Sequence, residues 1–286
     1  MKMILYVNEL YGELFSMIMG GFISMIFYFT GTGNSQFVAE TMNQSLHDEM
    51  ICINHEMKEK TTNIFHSDKP YVFVVPTHGY RVPRAMNQYI HNITLNGTKD
   101  IYFVLTCGGS VGNAHVYAKT LTKEKQMNFR GLISIVMPEN YIALFHAPNR
   151  EKAQAIILEG EKQAQIISQY IIKNQNFPKR KSTLLGWLLS TVCNPLFYCL
   201  IVKDKGMKVN EQCIHCHQCE YLCPVNNIKM IDNKPVFQHR CIHCMACICS
   251  CPTEAIIYKN RTQNKNHYLL KNVFQEERIS RFECEK

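Results

Sequence analysis

The chain of 286 residues has no Ser-His-Asp, Cys-His or paired-carboxylate constellation that stands out as a catalytic centre. It also lacks the aromatic-interleaved basic arrays of nucleic-acid binders. Its 31 Lys and Arg against 23 Asp and Glu leave a mild formal charge of +8, so no nucleic-acid partner is expected. Neither a Gly-x-Gly-x-x-Gly run nor the Lys of a nucleoside-triphosphate loop is present where a strand gives way to a helix. No separate nicotinamide-binding domain and no DNA-binding or effector domain is visible. Six of the 14 cysteines (Cys52, Cys107, Cys193, Cys199, Cys249 and Cys284) form no disulfide framework, and a reducing cytoplasm is the expected compartment.

The other eight cysteines carry the strongest signal. Cys213, Cys216, Cys219 and Cys223 precede Pro224, and Cys241, Cys244, Cys247 and Cys251 precede Pro252. Each set reads C-x2-C-x2-C-x3-C-P, the run of a protein holding two [4Fe–4S] clusters, in which the fourth Cys serves the other cluster. Crossed ligation then predicts one cluster on Cys213, Cys216, Cys219 and Cys251, and a second on Cys241, Cys244, Cys247 and Cys223. Paired zinc sites are the competing reading. Cys249 fits neither set and is expected to be a spectator. His215, His217 and His243 lie inside the ligand loops, where they either tune cluster sulfurs or are simply solvated. Short strands are expected around 228–231 and 255–258.

Upstream, apolar runs at 26–29, 51–53, 71–75, 101–105 and 132–137 alternate with helical periodicity at 35–47, 84–93, 113–125 and 151–173. This pattern predicts an α/β domain with a five-stranded parallel sheet, whose ligand site lies beyond the C-terminal strand ends. Three loops leave those ends. Thr30-Gly31-Thr32-Gly33-Asn34-Ser35 combines glycines, hydroxyls and a following helix, and suits a terminal monophosphate. Thr77-His78-Gly79-Tyr80 offers bare backbone beside an aromatic, and Cys107-Gly108-Gly109 leads through Gly112 to Asn113 at a helix start.

Together these loops resemble flavodoxin, whose fold binds FMN. Joined to the Cys-Pro pairs, the chain over 25–270 resembles bacterial flavodoxin–ferredoxin fusions of the EFR1 type. The resemblance implies a flavodoxin-like sheet followed by a small α+β ferredoxin-like 2[4Fe–4S] domain. It implies that Thr30, Gly31, Thr32, Gly33, Asn34 and Ser35 hold the FMN phosphate. Gly79 and Tyr80 then meet the isoalloxazine on one side, with His78 as the alternative stacking ring, and Gly108, Gly109, Gly112 and Asn113 meet it on the other. Asn140 or Tyr141, after the last strand, either reaches the flavin edge or caps the loop.

The expected organisation is an extension at 1–24, a flavin domain at 25–175, a connector at 176–206, a cluster domain at 207–260 and a tail at 261–286. Translation is expected to start at Met25, with a native N-terminal arm as the alternative. The connector runs from Lys179-Arg180-Lys181 through 184–202, which is uncharged, to Lys203-Asp204-Lys205. Asn194-Pro195 argues against a transmembrane helix, so two short apolar segments packed between the domains are expected and no membrane partner is. An interfacial anchor is the competing reading. In the tail, Tyr268, Leu269, Leu270, Val273 and Phe274 form a candidate docking stripe. The whole predicts an electron carrier coupling FMN to two clusters, with redox proteins as partners. A flavin reductase of a small organic substrate is the second reading, and a redox sensor the third.

Overall fold

The computed structural model describes residues 25–60 and 63–274; the extension at 1–24 lies outside them. Five parallel strands form the central sheet: β1 (Met25–Tyr28), β2 (Glu49–Cys52), β4 (Tyr71–Pro76), β6 (Asp100–Cys107) and β7 (Asn128–Val136), in the order β2-β1-β4-β6-β7. This is the flavodoxin-like doubly wound order, with its switch point between β1 and β4. Its inner strands β1, β4 and β6 are nearly continuous apolar runs because both faces are covered. In register across one face stand Phe27, Phe73 and Phe103, stacked with ring centroids 4.9 and 5.8 Å apart. Helices α1 (Asn34–Leu46) and α5 (Arg150–Ile172) bury their apolar stripes on the opposite face; α3 (Arg84–Asn92) and α4 (Ala114–Glu124) cover the phenylalanine face. A short α2 (Ile53–Glu59) and a separate parallel pair, β3 (Ile64–Ser67) with β5 (Thr94–Gly97), complete this unit.

All five expected strands are present. The β3–β5 pair is an addition that the apolar pattern did not signal, because Ile64, His66, Thr94 and Asn96 face solvent.

The connector departs from its expected form. The Asn194-Pro195 step does not break it: α6 (Leu184–Leu188) runs through a π-turn (Leu189–Cys193) into α7 (Asn194–Leu200). The Asn194 N–H reaches back five residues to Leu189 O. Widening the turn admits Pro195, which has no donor, at the start of the next segment. Nor is the connector sandwiched between two domains. Among the described residues it lies across the sheet's C-terminal loops, and its end meets the cysteine-rich lobe, where Tyr258 donates to Ile201 O at 2.9 Å.

That lobe contains β8 (Met207–Val209) paired antiparallel with β11 (Ile256–Tyr258), and a hairpin of β9 (Ile228–Ile231) with β10 (Lys234–Phe237). Single-turn helices α8 (Gln218–Leu222) and α9 (Ala246–Cys249) follow the cysteine loops. Its core also takes Ile142 and Ala143 from the larger unit. From the tail, Tyr268, Leu270, Val273 and Phe274 bury against α1 and α5, through a 3-10 turn rather than a longer helix.

Candidate functional site

A cavity of about 580 Å³ lies beyond the C-terminal ends of β1, β4, β6 and β7, within the range of small-molecule sites. The first loop contributes Thr30, Gly31, Asn34 and Ser35; the second Thr77, His78, Gly79 and Tyr80; the third Cys107, Gly108 and Gly109. These eleven sequence-predicted residues meet at one place. Asn140 and Tyr141 from the loop after β7 join them.

Four expected residues stand elsewhere. Thr32 is buried, its hydroxyl accepting from Asn140 Nδ2 at 2.8 Å and its carbonyl from Leu270 N–H at 3.0 Å. Gly33, at φ 102°, caps α1 and packs on Leu270. Gly112 and Asn113 hold the connector instead: Asn113 N–H donates to Ser190 Oγ at 2.9 Å and its side-chain amide to Thr183 O at 3.1 Å. Asn140 therefore acts at the cavity wall as a brace for the first loop.

The first loop has the build of an anion site. Thr30 Oγ1 accepts Gly33 N–H at 3.0 Å and fixes the turn. No side chain caps the start of α1, so the amides of its first turn are available to a phosphate. Ser35 Oγ and Thr106 Oγ1 lie 2.8 Å apart, and Asn34 is held between Pro138 O and the Tyr268 hydroxyl. No Lys or Arg among the described residues lines the cavity, which favours a single terminal phosphate. The Thr77 hydroxyl is buried in this wall without a partner among the described residues; a ring carbonyl or nitrogen would satisfy it.

The second loop is a tight turn in which His78 and Arg81 bridge around Gly79 and Tyr80, both with positive φ (53° and 65°). Two left-handed residues in succession are the type I′ geometry, which a tyrosine adopts only when held. The connector supplies the hold. Asn194 Nδ2 donates to His78 O and Gly79 O (3.1 and 2.8 Å), and Ser190 Oγ donates to Tyr80 O at 3.0 Å.

Burial, reinforced by the neighbouring His243, lowers the His78 pKa to about 4, so its imidazole is neutral in the native cavity. An unfolded chain protonates this His near 6.5, so the native state gains nothing as pH falls while the unfolded state does. Stability is therefore full above about 6.5 and erodes down to about pH 4, by on the order of 3 kcal/mol from this group. Thermal melts of His78→Gln should show a flatter pH dependence across that window; an unchanged slope would assign the acid sensitivity elsewhere.

The third wall comes from the cysteine-rich lobe as His243, Cys244 and Met245. Approach here is close: a Cβ on Gly31 would lie 1.9 Å from the Cys244 carbonyl oxygen. The Tyr141 hydroxyl meets His243 Nδ1 at 2.9 Å, and His243 Nε2 meets Lys203 O at 2.8 Å. A ring protonated on Nε2 satisfies both contacts. His243 is thus a tether between the two units, neither solvated nor aimed at a sulfur. Sequence reasoning could not place this wall, because nothing in the spacing of a ligand loop names its distant neighbour.

Within the lobe, Cys213, Cys216, Cys219 and Cys251 line one small cavity, and Cys223, Cys241, Cys244 and Cys247 line another. Among the described residues no three His, Cys, Asp or Glu side chains converge tightly enough to grip a single ion. The two loops share one conformation: His215 and His217 flank Cys216 with positive φ, and His243 and Met245 flank Cys244 likewise. Both Cys-Pro turns repeat a further feature. Asn227 N–H donates to Cys223 Sγ at 3.1 Å, and Ala255 N–H to Cys251 Sγ at 3.2 Å. Burial pushes the Cys241 and Cys244 thiols up to about 12, so both are protonated unless a cationic centre offsets the loss of water. The donor set fits two iron–sulfur clusters. Cys249 is buried and lines neither cavity.

No protein-family model and no curated protein matches the chain. Solved structures similar to it include a putative flavoprotein from Bacteroides uniformis (12% identity, 48% of this chain and 99% of that one, TM-score 0.31). Another is the Trp repressor binding protein from Bacillus subtilis (13% identity, 54% and 99%, TM-score 0.34). A third is a flavodoxin-like domain from Synechococcus (13% identity, 52% and 99%, TM-score 0.29). At these scores the flavodoxin-like reading rests on the chain's own strand order and loop positions.

Proposed function

We propose that this chain is an electron-transfer flavo-iron–sulfur protein that passes electrons between FMN and two [4Fe–4S] clusters. The observation that carries the reading is that the Cys244 loop walls both the large cavity and the second thiol-lined cavity. FMN supplies one- and two-electron chemistry and each cluster one-electron chemistry. The chain's part is to hold them in a fixed order. Cys216, of the first thiol group, is exposed, whereas Cys223 of the second is buried and Cys244 faces the flavin cavity. Electrons thus have a route from the surface through the first group and the second to the flavin.

A reductase of a small organic substrate needs free space above Gly79 and Gly108. Both glycines line the large cavity, but that cavity is also walled by His243, Cys244 and Met245 of the cysteine-rich lobe and by Leu196, Phe197 and Leu200 of the connector, which crowds a substrate beside a bound flavin. The carrier reading is the better supported.

Protein purified without oxygen should contain about eight irons and one FMN per chain. In rapid mixing with a reductant, flavin and cluster absorbance should reach a common equilibrium at a rate independent of protein concentration. Stoichiometric zinc without iron sinks the cluster assignment, and independent responses of the two cofactors sink the coupling.

A further inference from the structure

The connector helix is amphipathic in the inverted sense. Its buried positions are small or polar, Gly186, Ser190 and Asn194, recurring every four residues. The exposed positions are large and apolar: Leu184, Leu188, Val192, Leu196 and Leu200 form a second four-residue row on the far side. A globular helix turns its apolar stripe inward, so this face has no partner within the described chain. Leu184 is 83% exposed, Leu200 63% and Trp187 52%. The orientation is fixed, not incidental. Beyond the bonds of Ser190 and Asn194, Arg81 Nε donates to Ser190 O at 2.6 Å, Tyr117 bonds Thr191 at 2.6 Å, and Tyr198 accepts Arg84 N–H at 3.0 Å.

We propose that this ridge is a docking surface for an anionic lipid membrane, lying in the interface rather than crossing it. Two features select lipid as the occupant. The 184–202 ridge carries no charge, while exposed Lys179, Arg180 and Lys181 stand at one end and exposed Lys203 and Lys205 at the other. Apolar residues and a Trp flanked by basic side chains match an interfacial helix, in which apolar burial and attraction to anionic headgroups add. The ridge is also continuous with the rim of the large cavity, since Leu196 and Leu200 belong to both. No helix among the described residues is long and apolar enough to cross a membrane. The inference replaces the expectation of a connector with no membrane contact, and it holds whatever the cavity binds.

Trp187 is the chain's only tryptophan and reports on the ridge directly. With the full chain, vesicles of equal phosphatidylglycerol and phosphatidylcholine should sediment the protein and shift Trp emission to shorter wavelength. Pure phosphatidylcholine vesicles should do so far less. Leu184→Glu with Leu188→Glu should weaken partitioning by on the order of a hundredfold, while near-native flavin content confirms folding. Lys179→Gln, Arg180→Gln and Lys181→Gln together should weaken it by a similar factor at low salt, and these changes lie outside the helix, so they report even where the Leu variant fails to fold. Absence of binding to anionic vesicles, or binding indifferent to the basic residues, overturns the proposal. So does Trp emission already at short wavelength in buffer and unmoved by vesicles, which shows that residues 1–24 or a second copy covers the ridge.

Discussion

Replacing Cys223 by Ala is expected to remove the cluster held by Cys241, Cys244 and Cys247, not one in Cys223's own sequence run. Iron content should fall by about half, and the remaining paramagnetic signal should belong to the Cys213 group. The physical reason is the turn at Pro224. It carries the Cys223 sulfur into the cavity lined by the later run, where Asn227 N–H fixes it at 3.1 Å. The reciprocal change, Cys251→Ala, should also halve the iron but from the other site. The pair differs in its consequence for the flavin. The Cys223 variant loses the cluster beside the large cavity, so flavin reduction through the lobe should stop. The Cys251 variant retains that neighbour, so exchange with the flavin should persist while entry from the surface slows. If Cys223→Ala instead bleaches the Cys213 group, ligation is uncrossed.

Much of the fold and of the large cavity was legible in the sequence because those signals are local. The Cys-x2-Cys spacing brings the thiols of each group to one small cavity, and five apolar runs separated by helical periodicity specify a doubly wound sheet. The strand-end loops follow from that sheet, so eleven of the fifteen loop candidates gather at the cavity. The failures have physical causes. Gly112 and Asn113 look like ligand-loop residues, but a glycine with positive φ serves equally to admit a neighbouring helix, and here a Cβ on Gly112 would sit 2.6 Å from Ser190 Oγ. Thr32 looks like a phosphate donor, yet its hydroxyl is committed to Asn140, 108 residues away. Pro195 looks like a helix breaker because the rule assumes an i to i−4 ladder, and a π-turn escapes it. The connector's inverted pattern was present in the sequence, but composition alone does not say which face is turned to the protein.

Gly31→Ala should have the largest effect of any single methyl in the chain. The position needs glycine for space, not for conformation, since its φ is unexceptional while a Cβ would lie 1.9 Å from a backbone oxygen, Cys244 O. A backbone atom cannot rotate away, so the first loop and the Cys244 loop must separate. Overpacking of this kind costs about 1–3 kcal/mol. In a chain of this size that lowers the thermal midpoint by roughly 2–10 °C. FMN affinity should fall by about tenfold to a hundredfold, because the loop that moves is the one offered to the phosphate. Exchange between flavin and clusters should slow as well, with iron content unchanged, because the wall between the two sites is what thickens. Gly109→Ala is the internal control for stability without flavin: its Cβ meets nothing within 4 Å, so the midpoint should stay put. Equal losses in the two variants would mean that a general intolerance of these loops to an added methyl, and not the contact with Cys244, sets the cost at Gly31.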